Sequence, residues 1–209
     1  MREYLLLGGQ RCVLVLLVGM LVTGPRNLRA DDEAYAEVRK SPPGLGAVQT
    51  NEEDWPTFRH DPARHGATPR AVGNALAGRW RVKVGGGLTQ PVVADGRVHL
   101  ASRDTHTVLT LELATGLVQW TFTAGGRVDS PPTVHNGLVL FGSADGWVYC
   151  LRSTDGQLVW RFLAAAHDRR IVSFDQLESV WPVHGSVLVR EGIAYVAAGR
   201  STYLDGGIR

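Results

Sequence analysis

A chain of 209 residues, 44% of them hydrophobic, has enough apolar material to bury a core, which excludes global disorder. Its 22 basic and 20 acidic side chains nearly cancel, to a formal net charge of +2, so it carries no electrostatic footprint for nucleic acid. Twenty-five glycines and six tryptophans point to short strands joined by tight turns.

Residues 1–30 read as a signal segment. Arg2 and Arg11 supply positive charge, and residues 12–23 run almost without a polar side chain. That is too short for a membrane-spanning helix but suits the apolar core of a secretory signal, cleaved after Ala30. Leu28 stands where a small residue is preferred, so the alternative is an uncleaved leader anchoring the protein to the inner membrane. Cys12 lies at the front of the apolar run and not at its end, so it is not placed as a lipoprotein cysteine. The protein is expected to be exported, periplasmic or extracellular, with no membrane span after cleavage. Cys150 is then the single remaining cysteine, so no intrachain disulfide can form and a buried, inert thiol is expected.

Residues 31–54 are polar, with Ser41-Pro42-Pro43-Gly44 in their middle, and read as a flexible linker. Residues 55–79 form a lead-in segment, in which Pro56, Pro62 and Pro69 argue against a helix.

From residue 80 onward the chain repeats itself. Trp80, Trp120 and Trp160 are spaced by 40 residues each. Gly85-Gly86 matches Gly125-Gly126, and Pro91 matches Pro131. Residues 111–120 (LELATGLVQW) match residues 151–160 (LRSTDGQLVW), with one residue of slippage in the preceding turns. A period near 40 with four short strands per unit is that of a propeller blade. In the second full unit the strands are expected at residues 131–134, 138–142, 148–151 and 157–162, with two-residue turns at Asn136-Gly137, Asp145-Gly146 and Asp155-Gly156. The fold class is therefore all-β, a partial β-propeller over residues 80–209: about two full four-stranded blades, an incomplete third, and a leading strand that carries Trp80. Each tryptophan is expected to wedge between neighbouring blades, with Gly116 and Gly156 in the matching turns.

The third unit breaks the period. Thirty-two residues separate Trp160 from Gly192, against 16 from Trp80 to Gly96 and 17 from Trp120 to Gly137. An insertion of about 15 residues thus precedes the third blade, and such insertions map to loops on one propeller face, often the binding face. Arg169 and Arg170 are candidates for holding a carboxylate or phosphate, and Glu178, Trp181 and His184 for lining a polar, aromatic pocket near the axis. The plainer reading is a loop that caps one face. Asp205 beside two glycines reads as a turn, and His60 and His65 are too isolated for a zinc site. No catalytic or metal residue is assigned.

The repeat LELATGLVQW and LRSTDGQLVW resembles that of the pyrroloquinoline-quinone-like propeller family, secreted bacterial members in particular. Glu112 and Arg152 replace an aspartate usual in that repeat. The 55–68 stretch is similar to the opening segment of secreted members. The resemblance covers about residues 55–209 and is specific for fold, less so for activity. It implies two classes. Quinone-dependent dehydrogenases hold pyrroloquinoline quinone with calcium on the propeller axis, and alcohol dehydrogenases often set an adjacent-cysteine disulfide against it. Non-enzymatic members include a bacterial outer-membrane assembly lipoprotein. This chain has no Cys-Cys pair and no Cys-x-x-Cys-His haem site. The expectation is a secreted binding or scaffold module without a cofactor, whose partner is a protein or a polysaccharide and not nucleic acid. The alternative is the N-terminal part of a pyrroloquinoline-quinone-dependent dehydrogenase. Closed propellers need about four to eight blades, so the chain is expected to be an N-terminal fragment whose ring awaits C-terminal blades.

Overall fold

The structure is a computed structural model that describes residues 51–208 apart from 52, 72 and 174, with the backbone of three short strands nearer the N-terminus. Those strands are β1 (Leu5–Leu7), β2 (Gln10–Leu16) and β3 (Ala36–Val38). Apart from those strands and residues 51, 53 and 54, the readings of 1–30 as a signal and 31–54 as a linker lie outside the described residues.

Every regular element among the described residues is a strand. Blade 1 is a four-stranded antiparallel sheet of β4 (Val92–Ala94), β5 (Arg97–Ser102), β6 (Thr107–Glu112) and β7 (Val118–Thr123), each beside its sequence neighbour. Blade 2 repeats it with β8 (Thr133–His135), β9 (Leu138–Gly142), β10 (Trp147–Arg152) and β11 (Leu158–Leu163), and β3 lies along its outer edge. The insertion contains a hairpin of β12 (Arg170–Ser173) and β13 (Gln176–Ser179). The third blade begins with β14 (Leu188–Arg190) and β15 (Ile193–Val196), and β2 runs parallel to β15.

The turns explain the regularity. The first hairpin of each blade closes on two residues with positive φ: Asp95-Gly96 (53° and 69°), Asn136-Gly137 (49° and 73°) and Glu191-Gly192 (54° and 74°). This geometry matches the twist of the flanking strands. Asp145-Gly146 and Asp155-Gly156 differ from the sequence expectation. Only their glycines have positive φ, and the chain turns over a wider loop in which Gly146 N donates to Ser143 O and Gly156 N to Arg152 O.

The repeat reaches down to a bulge. The register shifts between Thr110 and Leu111 in blade 1 and between Cys150 and Leu151 in blade 2, so Thr110 faces Trp120 as Cys150 faces Trp160. The indoles then lock neighbouring units. Trp80 Nε1 donates to Leu113 O at 2.9 Å, and Trp120 Nε1 to Ser153 O at 2.9 Å. A Cβ on Gly116 would lie 2.6 Å from the Trp80 ring, and one on Gly156 2.5 Å from the Trp120 ring. Only a residue without a side chain lets the indole lie flat on that turn. Trp160 is buried between blade 2 and the third blade, in a core shared with Val180, Val187 and Val196. Trp120 belongs to the core between blades 1 and 2, with Val92, Val134 and Phe141. Trp80 corrects one detail: it lies outside any strand among the described residues.

Candidate functional site on the loop face

Strands alternate in direction, so the turn between second and third strands and the connection to the next blade emerge on one face. The insertion lies on that face. Ser179 N donates to Ala144 O at 2.7 Å and Val183 N to Ser143 O at 3.0 Å, fastening it over the blade 2 turn. Gln176, at the hairpin tip, reaches the blade 1 turn, where its Oε1 lies 3.0 Å from His106 Nε2. At the other end Gly199 N donates to Pro182 O at 3.0 Å. One segment therefore straps three blades together.

Beneath the strap runs a chain of charges. Glu178 is fully buried. Arg127 Nη2 stands 3.0 Å from its Oε1, and Arg200 Nη2 donates to its Oε2. Arg200 Nη1 also donates to Ser173 Oγ at 3.0 Å. Arg127 Nε donates to Asp129 Oδ1 at 2.7 Å, and the other Asp129 oxygen lies 2.7 Å from His184 Nδ1. Burial works to raise the Asp129 carboxyl, but hydrogen bonds from His184 and Arg127 outweigh it and hold it below its ordinary value. The network joins three elements remote in sequence: the approach to β8, the insertion and the exit from β15. A carboxylate closed off from water between two guanidiniums is stable only while both stay in place. Its chemistry is that of a neutral clamp, with the Asp129–His184 pair at its solvent margin.

Of the five residues the sequence singles out, Glu178 and His184 enter this network. Trp181 is buried beside it: Nε1 donates to Asp205 O at 3.0 Å, and the ring meets His167 edge-on at 5.9 Å. Arg169 and Arg170 stay at the exposed margin, paired with Asp205 at 3.5 Å and Asp168 at 3.0 Å. Glu178 and Trp181 are thus packed inside the strap and do not line an open pocket. Sequence reasoning misses Arg127, Asp129 and Arg200. A signal for the first two exists, since in the repeat register they stand where the first unit has Gly87 and Thr89.

The hairpin divides its residues by strand alternation. Ser173 and Glu178 turn inward to Arg200, whereas Val172 and Leu177, cross-strand partners, are 77% and 54% exposed. Tyr203 and Leu204 are exposed on the following connection.

A quinone with calcium fits these residues poorly. Calcium takes six to eight oxygens, largely from carboxylates. Glu178 and Asp129 are already spent on guanidinium and imidazole partners, and no group of three His, Cys, Asp or Glu among the described residues is arranged to hold a metal ion. Around the inner strands there is a cavity of 180 Å³ lined by Pro56, Thr57, His60, Thr133, His135 and Leu188, among others. Cofactor pockets usually begin near 300 Å³.

A family model described as outer membrane protein assembly factor BamB matches residues 71–204. The chain belongs to this BamB-like family of pyrroloquinoline-quinone-like repeats. The outer membrane protein assembly factor BamB of Burkholderia pseudomallei is 32% identical over 83 residues, 40% of this chain and 22% of the relative. That of Nitrosomonas eutropha is 28% identical over 129 residues, 62% of this chain and 29% of the relative. The chain thus spans under a third of the length of the curated BamB relatives it matches. Among solved structures, the quinohemoprotein alcohol dehydrogenase from Comamonas testosteroni superposes with a TM-score of 0.52 at 22% identity, over 72% of this chain and 24% of that one. That likeness shows the β-propeller fold.

Proposed function

We propose that this BamB-like chain is part of an exported propeller that binds a protein partner through the strapped loop face. The observation that carries the reading is the β12–β13 hairpin: its inner side chains are clamped by Arg200, while Val172 and Leu177 face solvent beside Arg169 and Arg170. Rigid apolar anchors ringed by charge are the usual make-up of a protein interface. The names of the BamB relatives, as assembly factors for outer membrane proteins, support a protein partner over a polysaccharide. The dehydrogenase alternative draws on likeness of fold alone, and the residues around the hub do not favour it.

The test is a photo-crosslinking side chain placed at Val172 or Leu177 in the producing cell, with exposed Leu117 of blade 1 as control. The expected result is one protein crosslinked from both hairpin positions and not from Leu117. With that protein purified, Val172→Glu combined with Leu177→Glu weakens binding at least tenfold and leaves the thermal midpoint unchanged. Equal crosslinking from all three sites, or unchanged binding, removes the reading. Binding of a polysaccharide that the double variant abolishes would replace the protein partner with a glycan.

A further inference from the structure

The inner strand of each blade is three residues long. In β4 and β8 the middle residue turns its backbone N–H away from the blade and toward the hub. Those groups need partners, because an unpaired buried N–H costs about 1–3 kcal/mol. The lead-in segment supplies them. Val93 N donates to Trp55 O at 2.9 Å, Trp55 N to Val93 O at 2.7 Å, and Val134 N to Pro56 O at 2.7 Å. Thr57 Oγ1 meets Thr133 Oγ1 at 2.9 Å in a buried contact, and Thr133 Oγ1 donates onward to Val187 O at 2.6 Å. Arg64 then reaches across to Ser186, just before β14, donating to its Oγ at 3.1 Å. Residues 54–66 so touch the inner edge of all three blades in turn.

The segment holds an uncommon backbone to do this. Arg59, His60 and Arg64 have φ of 59°, 79° and 60°, a region that costs a non-glycine residue about 1 kcal/mol or more. Such a path persists only where its surroundings fix it, and the bonds to Val93, Val134 and Ser186 do so.

We infer that residues 54–66 are an internal hub ligand: they complete the inner edges of blades 1 and 2, reach the third, and brace the three from within, so a quinone seated against β4 and β8 would have to displace them. The 180 Å³ that remain beside Thr57 and His60 are too small for a tricyclic quinone. This bracing is independent of the proposed function, since it and hairpin crosslinking are read by different measurements.

The experiment uses the whole chain carrying Thr57→Cys and Thr133→Cys. Their hydroxyls are close enough for a disulfide to replace the contact. Under mild oxidation the two positions are expected to crosslink to completion, located by peptide mass mapping. Pyrroloquinoline quinone with calcium in excess is expected to leave both the crosslinking rate and the quinone absorbance unchanged. A tenfold slowing of the crosslink by quinone and calcium, or its failure to form in the folded chain, overturns the inference. Amide exchange on the unsubstituted chain gives a second readout. The amides of Val93 and Val134 should exchange at least a hundredfold more slowly than that of exposed Leu76, and equal rates would show that the segment leaves the hub.

Discussion

Blades 1 and 2 are two copies of one unit in unlike surroundings. Their strands, bulges and docked indoles superimpose in register, yet Asp104 in the blade 1 turn is exposed, whereas its counterpart Asp145 is 3% exposed beneath the insertion. Trp80 keeps 36% of its surface in solvent and Trp120 only 8%. Behind the indole, blade 1 pairs His99 with Thr110 where blade 2 pairs Leu140 with Cys150. The shared features fix how blades dock. What differs comes from residues outside the repeat, and these decide burial and charge.

The docking turn offers the largest way to break the comparison. Gly156→Val puts a branched side chain at φ 69° and its Cβ 2.5 Å from a buried indole that has nowhere to go. A loss of about 4 kcal/mol in urea denaturation is expected. Gly116→Val creates the same clash with Trp80, but that ring can swing toward solvent, so about half the loss is expected. Equal losses would mean that Trp80 is as firmly enclosed as Trp120.

The aspartate turn comes next. Asp145 Oδ1 accepts from Trp147 N at 3.0 Å, and Oδ2 accepts from the Tyr149 hydroxyl. Burial, and then Asp145 itself, pushes that hydroxyl above its usual pKa, so Tyr149 stays a donor throughout the working range. Asp145→Ala strands two donors, the buried Tyr149 hydroxyl and the partly buried Trp147 N, and should cost about 3 kcal/mol. Asp104→Ala should cost less than about 0.5 kcal/mol. Comparable thermal midpoints for the two variants would place the insertion elsewhere than over blade 2.

These contrasts mark what the sequence makes legible. The 40-residue tryptophan spacing, the Asn-Gly and Asp-Gly turns and the strand alternation are local signals, so the blades, the position of Trp120 and the insertion can be read from the residues alone. The clamp cannot, because its members lie far apart in the chain. Glu178 looks like a surface acid until Arg127 and Arg200 are placed around it, some 51 and 22 residues away. Two parts of the insertion show the same limit. Its polar residues suggest a pocket, whereas ion pairing folds Glu178 inward and leaves Val172 and Leu177 as the exposed pair. The lead-in segment reads as irregular chain, and nothing local in it declares that its carbonyls complete Val93 and Val134.

The smallest effect is silent at neutral pH. His99 is fully buried, with Nδ1 2.7 Å from Thr110 Oγ1, and burial, aided by the charge of Arg97, pushes its pKa down to about 3. In the unfolded chain the imidazole titrates near its ordinary value of about 6.5. Between these values the unfolded state binds a proton that the native state refuses, so stability is full above about pH 6.5 and falls as the pH drops toward 3. Each pH unit in that window is worth about 1.4 kcal/mol, which gives a loss of about 2 kcal/mol at pH 5. His135 is also shifted down by burial and adds a loss of the same sign, so the measurement has to isolate His99. Exchanging the pair for its blade 2 counterpart, His99→Leu with Thr110→Cys, does so by removing the imidazole and the hydroxyl together. The unfolding free energies of the two proteins from urea titration should then run together at pH 7.5 and separate by about 2 kcal/mol at pH 5, with the wild type lower. If the gap stays constant across that range, His99 is reached by protons in the folded state, and the interface between blades 1 and 2 is looser than that between blade 2 and the third.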